Sequence, residues 1–115
     1  MSSESNLNFL PQYEQLLTSK RKLTTLRLGD ASERFRVGQR VLLTVGWDQS
    51  SGKQVGTAVI QELMVKPLKQ ITNRDLEGES PDCDSLDAVK YVLSSIYRTV
   101  VSENDNVSII KWKYE

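Results

Sequence analysis

The segment from Lys22 to Arg27, Lys-Leu-Thr-Thr-Leu-Arg, and the acidic run 76–79, Leu-Glu-Gly-Glu, carry side-chain types that together can form one catalytic site. The chain contains no histidine, so neither a Ser-His nor a Cys-His nucleophile pair can be built. Acid or base chemistry near neutral pH must therefore come from a lysine or a carboxylate in an unusual environment.

Composition indicates one ordinary globular domain. The chain has 115 residues, of which 38% are hydrophobic and 26% are charged. The single Cys83 has no internal disulfide partner, and no cluster of cysteine and histidine is present to hold zinc. We therefore expect no metal and no cofactor. No signal sequence and no apolar run of membrane-spanning length is visible, so we expect a cytoplasmic protein in a reducing compartment.

Charge is balanced overall but divided along the chain. Fifteen basic and fifteen acidic residues cancel, which argues against a protein that coats nucleic acid through electrostatics alone. Seven basic and two acidic residues lie between positions 20 and 40, whereas positions 75–87 hold six acidic residues and no basic one. The two segments either face each other across a cleft or form separate solvated surfaces.

Hydrophobic periodicity assigns the first elements. Apolar residues at helical spacing from Phe9 to Leu17 predict a short helix, preceded by a flexible tail over 1–8 and opening a single domain over 9–115. Alternation from 24 to 28 predicts a half-buried strand with Thr25 and Arg27 on one face. Lys22 then lies in the turn that precedes this strand.

The rest of the chain predicts a strand at 41–45 and one or two more at 54–65, with a hairpin loop at 47–53 between them. A helix capped by Asp84 or Ser85 and a closing strand follow. The predicted helix has an apolar stripe of Leu86, Val89, Leu93, Ile96 and Val100. In the closing strand Ile110, Trp112 and Tyr114 alternate with Ile109, Lys111 and Lys113. This order predicts an α+β domain, a curled, mostly antiparallel sheet or open barrel with marginal helices.

A series of residues along these elements resembles the ASCH domain family, which has a PUA-like β-barrel. The matching positions are Lys20-Arg21-Lys22, Thr25, Arg27, Phe35, Gly38, Val41, the Glu77-Gly78-Glu79 loop and the strand from Ile109 to Lys113. Within that family the chain is most similar to the small bacterial N4-acetylcytidine amidohydrolases. The placement of the Lys-x-x-Thr-x-Arg motif at the start of the first predicted strand supports the resemblance.

The resemblance implies hydrolysis of the amide of N4-acetylcytidine or a related acylated nucleoside, with Lys22, Thr25 and Glu79 as the catalytic residues. A threonine hydroxyl becomes a nucleophile only when a base takes its proton, which Lys22 does only in its neutral form. Desolvation and the charges of Arg21 and Arg27 favour that form, whereas Glu79 favours the ammonium. The sequence leaves the balance open.

Four further residues are candidates for substrate binding, namely Arg21, Arg27, Glu77 and Trp47. Arg27 is placed to hold the acyl carbonyl or the developing oxyanion. Trp47 either stacks on a base or folds back over the sheet. Glu77 lies two residues from Glu79, so either glutamate can be the carboxylate of the site.

Two other functions stay open at this point. PUA-like folds commonly bind RNA, so the same cleft can hold a single base or a single strand without cutting it, as an RNA-binding or regulatory module. A ribonuclease is a third, weaker alternative. The expected partner is therefore a small nucleoside or RNA, with no membrane, and the oligomeric state is not indicated.

Overall fold

The computed structural model describes residues 5–47 and 52–115, which form one curled sheet with two short helices. The strands are β1 (Ser5–Phe9), β2 (Thr24–Leu28), β3 (Arg40–Val45), β4 (Lys53–Pro67) and β5 (Asn106–Tyr114). The helices are α1 (Glu14–Thr18) and α2 (Leu86–Tyr97), and short 3₁₀ turns lie at Pro11–Tyr13, Leu68–Gln70 and Pro81–Cys83. The predicted α+β class is confirmed.

The strand order across the sheet is β1-β3-β4-β5-β2. Only the β1–β3 pair is parallel among the described strands, and the other pairs are antiparallel. β4 pairs with β3 through its first half and with β5 through its second half, and the register shifts between Ile60 and Glu62. A bulge on a long shared strand bends it, which explains how the sheet curls.

Apolar side chains cover both faces of the curled sheet. The first cluster contains Leu7, Phe9, Leu43, Ile110 and Trp112, and the second contains Leu26, Val89, Leu93, Val107 and Ile109. The predicted alternation in β5 is therefore only partly observed. Trp112 is buried as predicted and Tyr114 packs beside it, but Ile109 is as buried as Ile110, since α2 covers the second face.

The first residues of the chain differ from the prediction. Residues 5–8 were predicted to be a flexible tail and Phe9 to open a helix, but Ser5–Phe9 is strand β1, paired with Val41 to Val45 of β3. The helix α1 begins only at Glu14, after a 3₁₀ turn that starts at Pro11. Leu7 and Phe9 alternate inward into the core, although the sequence predicted Leu7 in the tail and Phe9 in the helix. Residues 1–4 lie outside the described residues.

Helix α2 begins and ends where local chemistry requires. Of the two predicted caps, Ser85 is the one used, because its hydroxyl accepts a hydrogen bond from the Ala88 amide at 3.1 Å. The helix ends at Tyr97, and the next residue, Arg98, adopts the left-handed conformation. Val89 and Leu93 of the predicted stripe are buried, but Val100 lies beyond the helix and is 88% exposed, so its assignment to the stripe was wrong.

Candidate functional site

A cavity of about 270 Å³ lies between β1, β2 and α2. Its wall combines apolar side chains of β1 and α2 with the polar residues Lys22, Thr25, Arg27 and Glu79. The residues predicted to be catalytic thus line one pocket. The pocket also shows that the basic and acidic segments meet at this point.

Lys22 and Glu79 form a buried ion pair in the wall of the pocket. Their side chains are only 3% and 4% exposed. The Lys22 ammonium donates to Glu79 Oε1 and to the Ser80 hydroxyl, the latter at 2.7 Å. It also lies 5.1 Å from the centre of the Tyr13 ring, an arrangement that favours a cation. The lysine is held in the turn before β2, as predicted.

Glu79 is fixed by three donors. Besides Lys22, the Ser80 amide donates to Oε1 at 2.7 Å and the Leu26 amide donates to Oε2 at 3.0 Å. Leu26 belongs to the outer edge of β2, so the carboxylate completes the hydrogen bonding of an edge strand. A carboxylate with this many donors is a strong anchor for the ammonium of Lys22.

Gly78 determines which glutamate enters the pocket. Its φ of +83° places the chain in a conformation that suits glycine, and its carbonyl accepts from the amides of Leu23 and Thr24. The following residue, Glu79, then turns inward. Glu77 stays exposed, and its backbone carbonyl accepts from the Thr24 hydroxyl.

Thr25 lies on the pocket face of β2 and is 5% exposed. No hydrogen bond joins its hydroxyl to any part of the chain that the structure describes. The neighbouring Thr24 differs, because its hydroxyl is held by the Glu77 carbonyl. Of the two threonines, Thr25 is therefore the one whose hydroxyl is available to a ligand.

Arg27 lies two residues further along the same strand and also lines the pocket. One terminal nitrogen donates to the Asn8 carbonyl at 2.6 Å, and the guanidinium lies 5.0 Å from the centre of the Phe9 ring. Burial lowers the pKa of Arg27 from its ordinary value, although a guanidinium stays charged at neutral pH. It is a fixed positive charge in the pocket.

The remaining predicted binding residues lie at or beyond the margin. Trp47 lines the pocket with 80% of its surface exposed, so it does not fold back over the sheet. Residues 48–51 of the predicted hairpin loop are outside the described residues. Arg21 and Glu77 are exposed and are not part of the pocket wall.

Three residues of the site were not predicted. Ser80 binds Lys22, Tyr13 lies under the same ammonium, and the Tyr97 hydroxyl accepts from the Leu28 amide at 3.2 Å. Burial, reinforced by the Asp82 carboxylate to which the Tyr13 hydroxyl donates, raises the pKa of Tyr13. The position of Ser80 directly after Glu79 was a usable signal, whereas both tyrosines reach the pocket through packing of distant segments.

Cys83 also lines the pocket but does not suit nucleophilic chemistry. Burial, with help from the nearby carboxylates of Glu79 and Asp82, raises the pKa of its thiol to about 12. The thiol therefore stays protonated at neutral pH.

Among the described residues, no group of three or more histidine, cysteine, aspartate or glutamate side chains is arranged to hold a metal ion. No helix of the described chain is long and apolar enough to cross a membrane.

Solved structures with a similar fold include three of low sequence identity. Protein EF3133 from Enterococcus faecalis V583, of family model DUF984, matches with a TM-score of 0.66 and 12% identity over 99% of this chain and 82% of that one. The ASCH domain from Lactobacillus crispatus JV V101 matches with a TM-score of 0.67 and 13% identity over 88% and 69%. The chain has the ASCH fold. The hypothetical protein PH0355 matches with a TM-score of 0.70 and 15% identity over 98% and 100%.

The resemblance to ASCH domains inferred from the sequence is thus confirmed at the level of the fold. No family model and no curated protein matches the sequence. Fold alone does not determine activity, so the function has to be argued from the pocket.

Proposed function

We propose that this protein hydrolyses the amide of N4-acetylcytidine or a related acylated nucleoside in the pocket formed by β1, β2 and α2. The observation that carries the proposal is the buried Lys22–Glu79 pair in the same wall as the hydroxyl of Thr25, which has no hydrogen-bond partner among the described residues. Amide hydrolysis needs a nucleophile, a base that takes its proton and an acid that protonates the leaving nitrogen. These three residues supply all three roles without histidine.

The proton transfers follow from the ion pair. A substrate that fills the pocket excludes water, and a dry environment disfavours two separated charges. Lys22 then gives a proton to Glu79 and becomes a neutral amine. The amine takes the proton of the Thr25 hydroxyl as its oxygen attacks the acyl carbon.

The acyl carbon–N4 bond breaks when the leaving nitrogen takes that proton from Lys22, and cytidine is released. The acyl group remains as an ester on Thr25. Water then attacks the ester and gives a proton to Lys22, which passes it to the departing Thr25 oxygen, so that the carboxylic acid is released and the hydroxyl is restored. When the products leave, Glu79 returns its proton to Lys22 and the ion pair forms again. Glu79, fixed by the amides of Ser80 and Leu26, holds the same position throughout.

The size and lining of the pocket suit a single nucleoside. A cavity of about 270 Å³ lies just below the usual size of ligand pockets, and its mostly apolar walls with a few convergent polar groups suit a small molecule. Trp47 stands exposed at its rim, where an indole ring can stack on a base. The net charge of zero gives no support to a long RNA as the substrate.

A second candidate function is supported by the same rim. An exposed Trp47 in the same pocket wall as Arg27 suits recognition of a flipped or terminal base of RNA without any cleavage. In that case Lys22 and Glu79 would serve to hold the loop 77–80 against β2.

The test is to incubate the purified protein with N4-acetylcytidine and to measure released cytidine by chromatography. We expect turnover that is lost in Lys22→Met and Glu79→Gln but kept in Lys113→Met, which removes an exposed lysine of β5 outside the pocket wall. No turnover by the folded, unmutated protein, with binding of nucleoside retained, would reject the hydrolase and favour the binding module.

A further inference from the structure

The charges in the pocket wall do not cancel. Lys22 and Glu79 neutralise each other, which leaves Arg27 as a cation without a carboxylate partner in the described wall. Only one hydrogen bond of its guanidinium is used within the described chain, to the Asn8 carbonyl. A guanidinium has five N–H donors, so most of them are available to a ligand.

The neutral acceptors of a nucleoside satisfy these donors less well than an anion, because hydrogen bonds between charged groups are shorter and stronger. When a ligand displaces water from the pocket, N–H groups left without an acceptor carry a desolvation cost. An anionic group with two oxygens meets the fork of a guanidinium with two parallel hydrogen bonds. The structure therefore favours a ligand that brings its own negative charge.

The surroundings of Arg27 support the same conclusion. The Tyr97 hydroxyl accepts from the Leu28 amide, which leaves its own proton to donate, and Tyr97 lines the pocket near Arg27. Arg34 makes the potential at Arg27 more positive, whereas Glu79, whose charge is already paired with Lys22, makes it more negative. Burial disfavours the charged guanidinium, and a bound anion would relieve that penalty.

The adjoining groove offers no alternative place for an anion. It shares Leu10, Val92 and Ile96 with the pocket, but its charged residues are Asp82 and Asp87, and no basic residue lines it among the described residues. A phosphate or carboxylate is repelled there. Arg27 is thus the point in the connected cavities where a negative group is stabilised.

We infer that the ligand of this pocket carries one anionic group, a phosphate or a carboxylate, which Arg27 binds through a bidentate pair of hydrogen bonds. The inference rests on the proposed function in placing a cytidine derivative in the pocket. It assigns Arg27 to ground-state binding instead of to the oxyanion. Within the proposed class of acylated nucleosides, the preferred substrates are then an acylated nucleotide or a nucleoside whose acyl group ends in a carboxylate, while N4-acetylcytidine is turned over without the anion contact to Arg27.

The test is a binding measurement that does not depend on hydrolysis. Calorimetry measures the affinities of cytidine, cytidine 5′-monophosphate and N4-succinylcytidine. Three proteins are compared: Thr25→Val alone, Thr25→Val combined with Arg27→Gln, and Thr25→Val combined with the control Arg36→Gln. Arg36 is exposed and outside the pocket wall. A charge-assisted bidentate contact predicts that one anionic ligand binds about tenfold or more tightly than cytidine. Arg27→Gln should remove that gain, and Arg36→Gln should keep it.

The outcomes separate the two anion sources and the two proposals. A gain with the monophosphate identifies phosphate, and a gain with the succinyl compound identifies carboxylate. If neither anionic ligand binds better than cytidine, or if the gain survives Arg27→Gln, the inference is overturned. A gain in affinity that depends on Arg27 supports the anion site even if the protein hydrolyses no amide. Thermal unfolding checks that the Arg27→Gln protein is folded, and Arg27→Lys should keep part of the gain.

Discussion

Glu79→Gln tests whether the Lys22–Glu79 pair is as buried and as coupled as the structure indicates. The glutamine keeps the shape of the side chain but removes the charge that faces the Lys22 ammonium, which is 3% exposed. Breaking one side of a buried pair costs about 3–5 kcal/mol because the other charge stays buried without compensation. Lys22 keeps the Ser80 hydroxyl, so we expect the lower end, about 3 kcal/mol.

The reverse change should cost less. In Lys22→Met the Glu79 carboxylate still accepts from the amides of Ser80 and Leu26, so about 2 kcal/mol is expected. When both residues are changed, no charge is left unpaired. We expect the double variant to lose only about 2 kcal/mol, because no charge stays unpaired and the remaining cost is that of a buried glutamine amide whose N–H groups have lost their partner.

Urea unfolding followed by circular dichroism gives the free energy of unfolding of the unmutated protein, the two single variants and the double variant. Equal m-values show that the surface exposed on unfolding is the same in all four. The double-mutant cycle then yields an interaction energy of about 3 kcal/mol. Two single losses below about 1 kcal/mol that simply add would refute the argument, since exposed pairs behave in that way.

Two further predictions concern the loop that carries Glu79 and the stability of the protein in acid. Gly78→Ala places a Cβ 2.9 Å from the Leu23 Cβ and should destabilise the fold by about 2 kcal/mol. The control Gly38→Ala changes a glycine that also has a positive φ but has open space around it, so it should cost only about 1 kcal/mol. Equal losses of unfolding free energy in urea would contradict this prediction. Although burial opposes it, the hydrogen bond from Lys66 helps to hold the pKa of Asp75 below its ordinary value. Asp75 therefore contributes stability at neutral pH that is lost as the pH falls through its folded pKa. In Asp75→Asn the free energy of unfolding should decline less steeply below about pH 4 than in the unmutated protein. Parallel pH profiles of the two proteins would refute the prediction.

Elements with a local sequence signal were predicted well. The alternation around Thr25 identified β2 and the shared face of Thr25 and Arg27, and Ser85 was one of two expected caps of α2. β1 was missed because its strand character depends on a partner, β3, that lies far along the chain. A five-residue segment without a turn signal cannot reveal such pairing.

The site was predicted through residue types more than through geometry. Lys22 and Glu79 could be proposed as partners, but the choice of Glu79 over Glu77 depends on the positive φ of Gly78. Tyr97 had no signal, because α2 brings it to β2 only after the helix packs on the sheet. The sequence can therefore identify candidate residues of the site, whereas the residues that hold them in place become apparent only in the folded structure.

The central claim is that the Thr25 hydroxyl attacks an acylated nucleoside, and the most direct measurement is cytidine release from N4-acetylcytidine by Thr25→Ser and Thr25→Val. Thr57→Val serves as the matched control, since Thr57 is a threonine of β4 outside the pocket wall. The account predicts that Thr25→Ser and Thr57→Val retain turnover and that Thr25→Val loses it. Equal turnover by Thr25→Val and the unmutated protein would contradict the account.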